Sequence, residues 1–198
     1  MLLARRTKSL PETPIDTINL KGQFLVAMPH MTDPNFHRAV VLVCEHAAEG
    51  AMGLVVNRPL PCCLKEVLEG LEIPGTGGTD ALAHCGGPVE PQMGFLLYSG
   101  GPKYEHSLEV TDFVSLGTTL NILAEIARNE GPKKFFFALG YSGWGPGQLD
   151  DEIRRNDWLV IPASEQIVYD LPYEERWDAA IRILGIKPDM LGKTFGTA

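Results

Sequence analysis

The sequence has no apolar run long enough to cross a lipid bilayer. Its longest unbroken apolar runs have six residues, as in Ala39 to Cys44, whereas a membrane-spanning helix needs roughly 20. Arg5, Arg6 and Lys8 lie near the N-terminus, but no apolar stretch of about 7–15 residues follows them, as a secretory signal would require. The sequence therefore predicts a cytoplasmic protein that does not span a membrane.

Cysteine is scarce and is not spaced for metal binding. The four cysteines stand at positions 44, 62, 63 and 85, and none forms the Cys-x-x-Cys pair of zinc ribbons and redox centres. Cys62 and Cys63 are adjacent, and adjacent cysteines do not readily form a disulfide. We therefore expect reduced thiols, no metal site and no cofactor.

Basic residues are too few and too dispersed to hold nucleic acid. Lys and Arg number 17 against 25 Asp and Glu, which gives a net charge of −8. Residues 148–178 alone hold nine acids and three bases. Proteins that bind duplex DNA need clustered Lys and Arg to neutralise its phosphates. We therefore expect no direct nucleic-acid binding, and a regulator of this composition would act through a protein partner.

The composition fits one folded domain with many turns. The chain has 198 residues, 44% of them hydrophobic, which is enough for a single domain with an apolar core. Its 21 glycines and 15 prolines exceed the usual share and predict short elements. Residues 1–20 are mostly polar and are predicted to form a loosely ordered arm, followed by one domain at residues 21–198.

Apolar patterning predicts an α+β fold. Short apolar segments rich in β-branched residues predict strands at 22–28, 38–44, 52–56, 81–85, 94–98, 108–110, 133–139 and 158–161. Helical spacing predicts helices at 61–71, from 115 or 118 to 130, at 148–155 and at 172–184. Strands come first and helices later, without βαβ alternation. We predict a single compact domain with a largely antiparallel or mixed sheet, open or barrel-like, flanked by about four helices.

The run from Gly140 to Gln148 is the most unusual feature. Four of its nine residues are glycine, and it joins a predicted strand to a predicted helix. Backbone N–H groups in such a loop can hold an anion at the helix N-terminus; the alternative is a tight turn anchored by Trp144. Ser142 partly fits the Gly-x-Ser-x-Gly nucleophile elbow, but no His follows His106. A serine hydrolase is therefore not indicated.

Polar and glycine residues at other strand ends complete the candidate surface. Arg58 follows a strand, and its planar fork suits a carboxylate or phosphate ligand, with a structural salt bridge as the alternative. Gly86 and Gly87 form a turn without the downstream Lys-Ser/Thr of a P-loop. We predict a binding surface, without catalytic residues, made of Asn57, Arg58, Gly86, Gly87, Gly143, Trp144, Gly145 and Gln148.

A competing hypothesis is an enzyme that acts on a small anionic substrate. Arg58 would hold the anion, and His46 or Cys44 would act as acid, base or nucleophile. His46 follows Cys44 by two residues on a strand, which predicts that their side chains share a face. This hypothesis requires Arg58, His46 and residues 143–148 to meet in one pocket.

Separated motifs, taken in order, resemble the AlgH/YqgE family of bacterial proteins. They are Gly22–Pro29, Cys44–His46, Gly50–Pro59, Gly86–Val89, Leu139–Leu149 and Asn156–Trp158. The resemblance covers roughly residues 20–185. It implies a cytosolic bacterial protein with a compact α+β fold, linked to transcriptional regulation by genetic association rather than by a DNA-binding motif, and it supplies no catalytic residues. We therefore predict a non-enzymatic binding or regulatory module whose partner is a protein or a small anionic ligand.

Overall fold

Strands outnumber helices in the computed structural model, which describes residues 19–77, 80–100, 104–118 and 120–187. Within these ranges the strands are β1 (Gln23–Ala27), β2 (Val40–Ala47), β3 (Gly50–Val55), β4 (Pro59–Cys63), β5 (Leu82–Cys85), β6 (Val89–Ser99), β7 (Leu108–Glu109), β8 (Ser115–Gly117), β9 (Lys134–Trp144) and β10 (Trp158–Pro162). The helices are α1 (Leu64–Gly70), α2 (Leu120–Ala127), α3 (Gln148–Arg154) and α4 (Arg176–Ile183), and a π-helical turn spans Gln166–Asp170.

Strand β9 joins the parts of the sheet. The strand order is β10-β1-β2-β3-β9-β6-β8-β7, and β4 is attached through β5. The end of β9 pairs antiparallel with β3, with Trp144 opposite Ala51. Its earlier residues pair with β6 on one side and, in parallel, with β5 on the other. The sheet curls into a half-barrel, and the predicted compact α+β fold is confirmed.

The central strands are apolar on both faces because each face carries its own helix. On one face, Phe24 and Leu42 lie in a cluster with Trp177 and Ile181 of α4. On the other, Leu25 and Val41 lie in a cluster with Trp144, Trp158 and Leu149 of α3. A further cluster beneath α1 and α2 contains Leu64, Leu68, Ile122, Leu123, Ile126 and Phe137.

The structure corrects three predicted elements. Residues 140–144, predicted to be a loop, form the second half of β9, because β3 supplies a partner strand for Ser142, Gly143 and Trp144. Residues 59–63 form β4 ahead of α1, where helix was predicted from residue 61. Residues 115–117 pair with β6 as strand β8, so the next helix does not begin at residue 115, the first of its two predicted starts.

Most of the predicted arm and the end of the predicted domain lie outside the described residues. Residues 1–18 of the predicted arm and residues 188–198 lie outside them, while Leu20 is buried in the cluster that contains Leu25. None of the helices in the described ranges has the length and hydropathy needed to cross a membrane.

Candidate functional site

A glutamate shared by two indoles fixes the corner between β9 and α3. The Nε1 atoms of Trp144 and Trp158 donate to Oε2 of Glu152 at 2.9 and 2.8 Å. Gln148 donates its Nε2 to Oε1 of the same carboxylate at 2.9 Å, and its own Oε1 accepts the Gly145 N–H at 3.0 Å. Trp144 and Gln148, both candidate binding residues, therefore use their polar atoms inside this corner.

The glycine-rich corner is poorly suited to hold an anion. The N–H of Gln148 donates to the carbonyl of Gly145 at 3.1 Å, so it is already occupied within the turn. The first turn of α3 also carries Asp150 and Asp151, whose carboxylates already complement the helix dipole. The geometry therefore favours the alternative, a tight turn with Trp144 anchored in the core.

Gly86 and Gly87 allow two backbones to approach closely. The Gly86 N–H donates to the Leu139 carbonyl at 2.8 Å, and the Gly86 carbonyl accepts the Ser142 hydroxyl at 3.1 Å. A Cβ atom on Gly87 would lie 2.2 Å from the carbonyl carbon of Tyr141, and its φ of +154° also disfavours a side chain. Ser142 is 0% exposed, so its hydroxyl serves this contact and is not an accessible nucleophile.

Asn57 and Arg58 hold the segment that leads into β2. Asn57 accepts the Val40 N–H at 2.9 Å and donates to the Arg38 carbonyl at 2.8 Å. Arg58 donates its Nη2 to the His37 carbonyl at 2.6 Å. Backbone groups are thus the partners that hold both side chains, and Arg58 donates to a carbonyl instead of the acidic side chain of the alternative salt bridge.

The structure separates Arg58 from His46 along the sheet. The Val56 N–H donates to the Val40 carbonyl, which places Arg58 near the start of β2. His46 lies opposite Ala51, near the other end of the strand. The seven residues from Val40 to His46 span about 20 Å of extended chain, so Arg58 and His46 do not meet in one pocket.

Cys44 and His46 also point to opposite faces, contrary to prediction. A β-bulge between Val43 and Glu45 inserts Cys44 as an extra residue, so the alternation of side chains shifts. Cys44 is 0% exposed, and burial raises the pKa of its thiol to about 12. His46 accepts the Leu20 N–H at Nδ1, 3.1 Å away. The geometry does not support an enzyme built from Arg58 with His46 or Cys44.

An open groove of about 790 Å³ lies over Gly143 and Trp144. The β2–β3 hairpin forms one wall, the beginning of β6 forms the other, and β9 forms the floor. We call it the acidic groove; its lining residues are Glu45, Ala47, Glu49, Gly50, Ala51, Met52, Val89, Glu90, Met93, Phe95, Tyr141, Gly143 and Trp144. Two of the eight predicted surface residues, Gly143 and Trp144, therefore line one cavity, and the other six lie outside its lining.

Carboxylate, methionine and aromatic side chains line this groove. Glu45, Glu49 and Glu90 supply negative charge, and none of its described lining residues is Lys, Arg or His. Phe95 packs edge-on against Tyr141, with ring centroids 5.7 Å apart. Across the described residues, no group of three or more His, Cys, Asp or Glu side chains is arranged to hold a metal ion. The groove is therefore suited to a cationic, partly apolar ligand.

Sequence reasoning missed these carboxylates because only the sheet pairing brings them together. Glu45, Glu90 and Tyr141 are about 45–50 residues apart in sequence and meet through the β3–β9–β6 pairing. Glu90 sits where the pairing of β6 with β9 shifts between Val89 and Gly94. A signal was present at Glu45, an exposed acid that directly follows the five fully buried apolar residues at the start of β2.

Fold and groove together define a curled α+β protein with an open acidic cleft. The chain belongs to the AlgH-like family, whose model matches residues 24–189. A UPF0301 protein from Chromobacterium violaceum is 39% identical over 186 residues, covering 93% of this chain and 100% of that protein. A UPF0301 protein from Jannaschia sp. is 44% identical over 186 residues, covering 92% and 97%. The predicted family is confirmed.

Solved structures share this architecture. The solution structure of AlgH from Pseudomonas aeruginosa matches with a TM-score of 0.76 and 41% identity, covering 97% of this chain and 100% of that one. A crystal structure of a Corynebacterium diphtheriae protein matches with a TM-score of 0.70 over 87% of this chain and 89% of that one. At 22% identity, the second likeness concerns the fold alone.

Proposed function

We propose that this AlgH-like protein is a non-enzymatic binding module of the bacterial cytosol. In this proposal it regulates other processes by binding a partner protein and does not contact DNA itself. The observation that carries the proposal is the acidic groove, which three glutamates line together with aromatic and methionine side chains.

The groove chemistry favours a protein segment with basic and apolar residues. Met52 and Met93 are flexible, polarisable side chains that adapt to varied apolar partners. Glu45, Glu49 and Glu90 would attract Lys or Arg of the incoming segment and favour them over acidic competitors. An open cleft of about 790 Å³ is large enough for several side chains of an extended peptide.

The same charges disfavour a small anionic ligand, the other predicted partner, and they also disfavour DNA. A small anion would meet three carboxylates without a basic lining residue to offset them. A DNA phosphate backbone would meet a protein with a net charge of −8, whereas DNA binding depends on clustered cations. A basic protein segment therefore remains the best-supported partner for the acidic groove.

Peptides of defined charge test this proposal. A short labelled peptide of alternating lysine and leucine should bind with salt-sensitive affinity by fluorescence anisotropy, while a glutamate–leucine counterpart should not. The double variant Glu45→Lys and Glu90→Lys should weaken binding at least about tenfold. The control variant Glu69→Lys and Glu105→Lys carries the same charge change at exposed sites outside the groove, and should bind within about twofold of the native protein.

The competing outcomes are distinct. Equal binding of both peptides, or equal weakening by the groove variant and its control, would show that the acidic groove is not the binding site. A gel shift with tight, salt-sensitive retention of duplex DNA would contradict a protein partner and favour direct DNA contact.

A further inference from the structure

A second, more enclosed cavity of about 350 Å³ lies between α1, α2 and the sheet. We call it the α1–α2 pocket. Val67 and Leu71 of α1 form one wall, Leu120 and Leu123 of α2 form the other, and Phe137 and Leu139 of β9 lie at its base. Its volume falls within the roughly 300–1,000 Å³ typical of small-molecule sites.

The strands that line the pocket contribute two glycines to its wall. Gly94 of β6 and Gly117 of β8 line it without a side chain. A Cβ atom on Gly94 would lie 3.2 Å from the Phe137 ring, closer than ordinary van der Waals contact, so Gly94 lets Phe137 approach the strand. At the rim, Leu71 and Leu120 remain 44% and 58% exposed. This concave apolar surface with exposed leucines at its mouth is suited to an apolar chain.

One charged group marks the edge of the pocket. Glu66 is the only charged residue among the described residues that line it, and Gln92 and Thr118 add neutral polar groups. The Cys63 N–H donates to Oε2 of Glu66 at 2.9 Å, which fixes the direction of this side chain. A negative charge beside an apolar cavity attracts a cationic head group and repels a carboxylate.

We propose that the α1–α2 pocket binds a small amphiphilic primary amine. Its apolar tail lies between the helices against Phe137, and its ammonium group lies beside the Glu66 carboxylate. This site is separate from the acidic groove: strand β6 runs between them, and Phe95 is the lining residue they have in common. The proposal does not depend on the proposed function, so each can fail without the other.

A titration with octylamine and octanoate tests the pocket, because these probes share an apolar chain and differ in head-group charge. Methyl resonances of Leu71, Leu120 and Leu123 should shift on addition of octylamine, with a dissociation constant of about 0.1–1 mM. Octanoate should bind at least about tenfold more weakly. Both probes are used below their micelle concentrations.

Matched variants identify the groups involved. Glu66→Gln should remove the preference for octylamine over octanoate, while its amide still accepts the Cys63 N–H. Glu69→Gln, on the same helix but outside the lining, should leave the preference intact. Leu120→Lys should weaken octylamine binding about tenfold, whereas Leu184→Lys, at a leucine 40% exposed beyond α4, should not.

Contrary results are equally clear. Equal affinity for octylamine and octanoate, or shifts confined to Met52 and Tyr141 of the acidic groove, would overturn the proposal. A dimer of the free protein that Leu120→Lys converts to a monomer would also overturn it, because a second copy of the chain would then fill the pocket. The thermal unfolding midpoint of each variant is also measured. A midpoint equal to that of the native protein shows that lost binding does not reflect unfolding.

Discussion

The imidazole of His84 packs against the ring of Phe136, with centroids 4.2 Å apart and the ring planes tilted by 33°. The Arg176 guanidinium lies 5.6 Å from the centre of the same Phe136 ring and donates to the carbonyls of Leu171 and Val56. Burial, together with the Arg176 charge, lowers the pKa of His84 to about 4. The buried Arg176 cation thus disfavours protonation of the nearby buried His84.

The buried His84 and Arg176 predict that the free energy of unfolding falls in mild acid. His84 has an ordinary pKa of 6.5 in the unfolded chain and about 4 in the folded protein, so the unfolded state binds more protons between these values. The stabilisation that comes from the uncharged His84 is fully present above pH 6.5 and is lost as the pH falls toward 4. This loss lowers the free energy of unfolding by up to about 3 kcal/mol. Urea denaturation at a series of pH values measures it.

Two histidine variants separate this effect from other titrations. His84→Gln should flatten the decline in unfolding free energy below pH 6.5. His106→Gln, at a side chain 80% exposed, should leave the decline unchanged. If both variants kept the native pH dependence, His84 would not be its source.

Glu152 is predicted to be a major stabilising residue of the β9–α3 corner. Glu152→Ala would leave the N–H groups of Trp144 and Trp158 without their shared acceptor, which should cost about 3 kcal/mol of unfolding free energy. Glu152→Gln keeps an uncharged acceptor and should cost about half as much. Urea denaturation followed by tryptophan fluorescence gives both values.

Asp151→Ala provides the comparison for Glu152, because Asp151 is 64% exposed and pairs with Arg154 on the surface. Its loss should cost less than about 1 kcal/mol. Comparable losses for Asp151→Ala and Glu152→Ala would mean that the shared carboxylate contributes no more than a surface ion pair.

Gly87 is predicted to tolerate no side chain. In Gly87→Ala, the new Cβ would lie 2.2 Å from the Tyr141 carbonyl carbon and 2.4 Å from the Ser142 nitrogen, so β9 would have to move. We expect the free energy of unfolding to fall by about 3 kcal/mol or more. Urea denaturation measures this as a lower unfolding midpoint. Gly145→Ala is the control: its Cβ would find its nearest neighbour at 3.8 Å, and a loss as large as that of Gly87→Ala would rule out steric contact as the cause.

The elements with local signals were predictable from sequence. The hairpin of β2 and β3 follows from two β-branched apolar segments joined by a short turn, and α3 and β10 lie close to their predicted ranges. Residues 140–144 were not predictable, since glycines usually indicate a loop. Here Gly86 and Gly87 pack closely against this segment, and pairing with the distant strands β3 and β6 makes it a strand.

The candidate site was predictable in part. The sequence pointed to Gly143 and Trp144, which line the acidic groove. It did not reveal that the side chains of Asn57 and Arg58 bind nearby backbone groups. The bulge at Cys44 was also hidden, because one inserted residue leaves the apolar pattern intact while it reverses the faces that follow.

The position of β9 between β3 and β6 has a consequence for how the chain folds during synthesis. Strand β3 ends at Val55, yet the partner for its inner edge, Ser142 to Trp144, is translated much later. Until then β3 and β6 each present an unpaired edge, which is a template for association with other nascent chains. Growing polypeptides that end before residue 134 would therefore expose both edges, and the synthesis of β9 would cover them in one step.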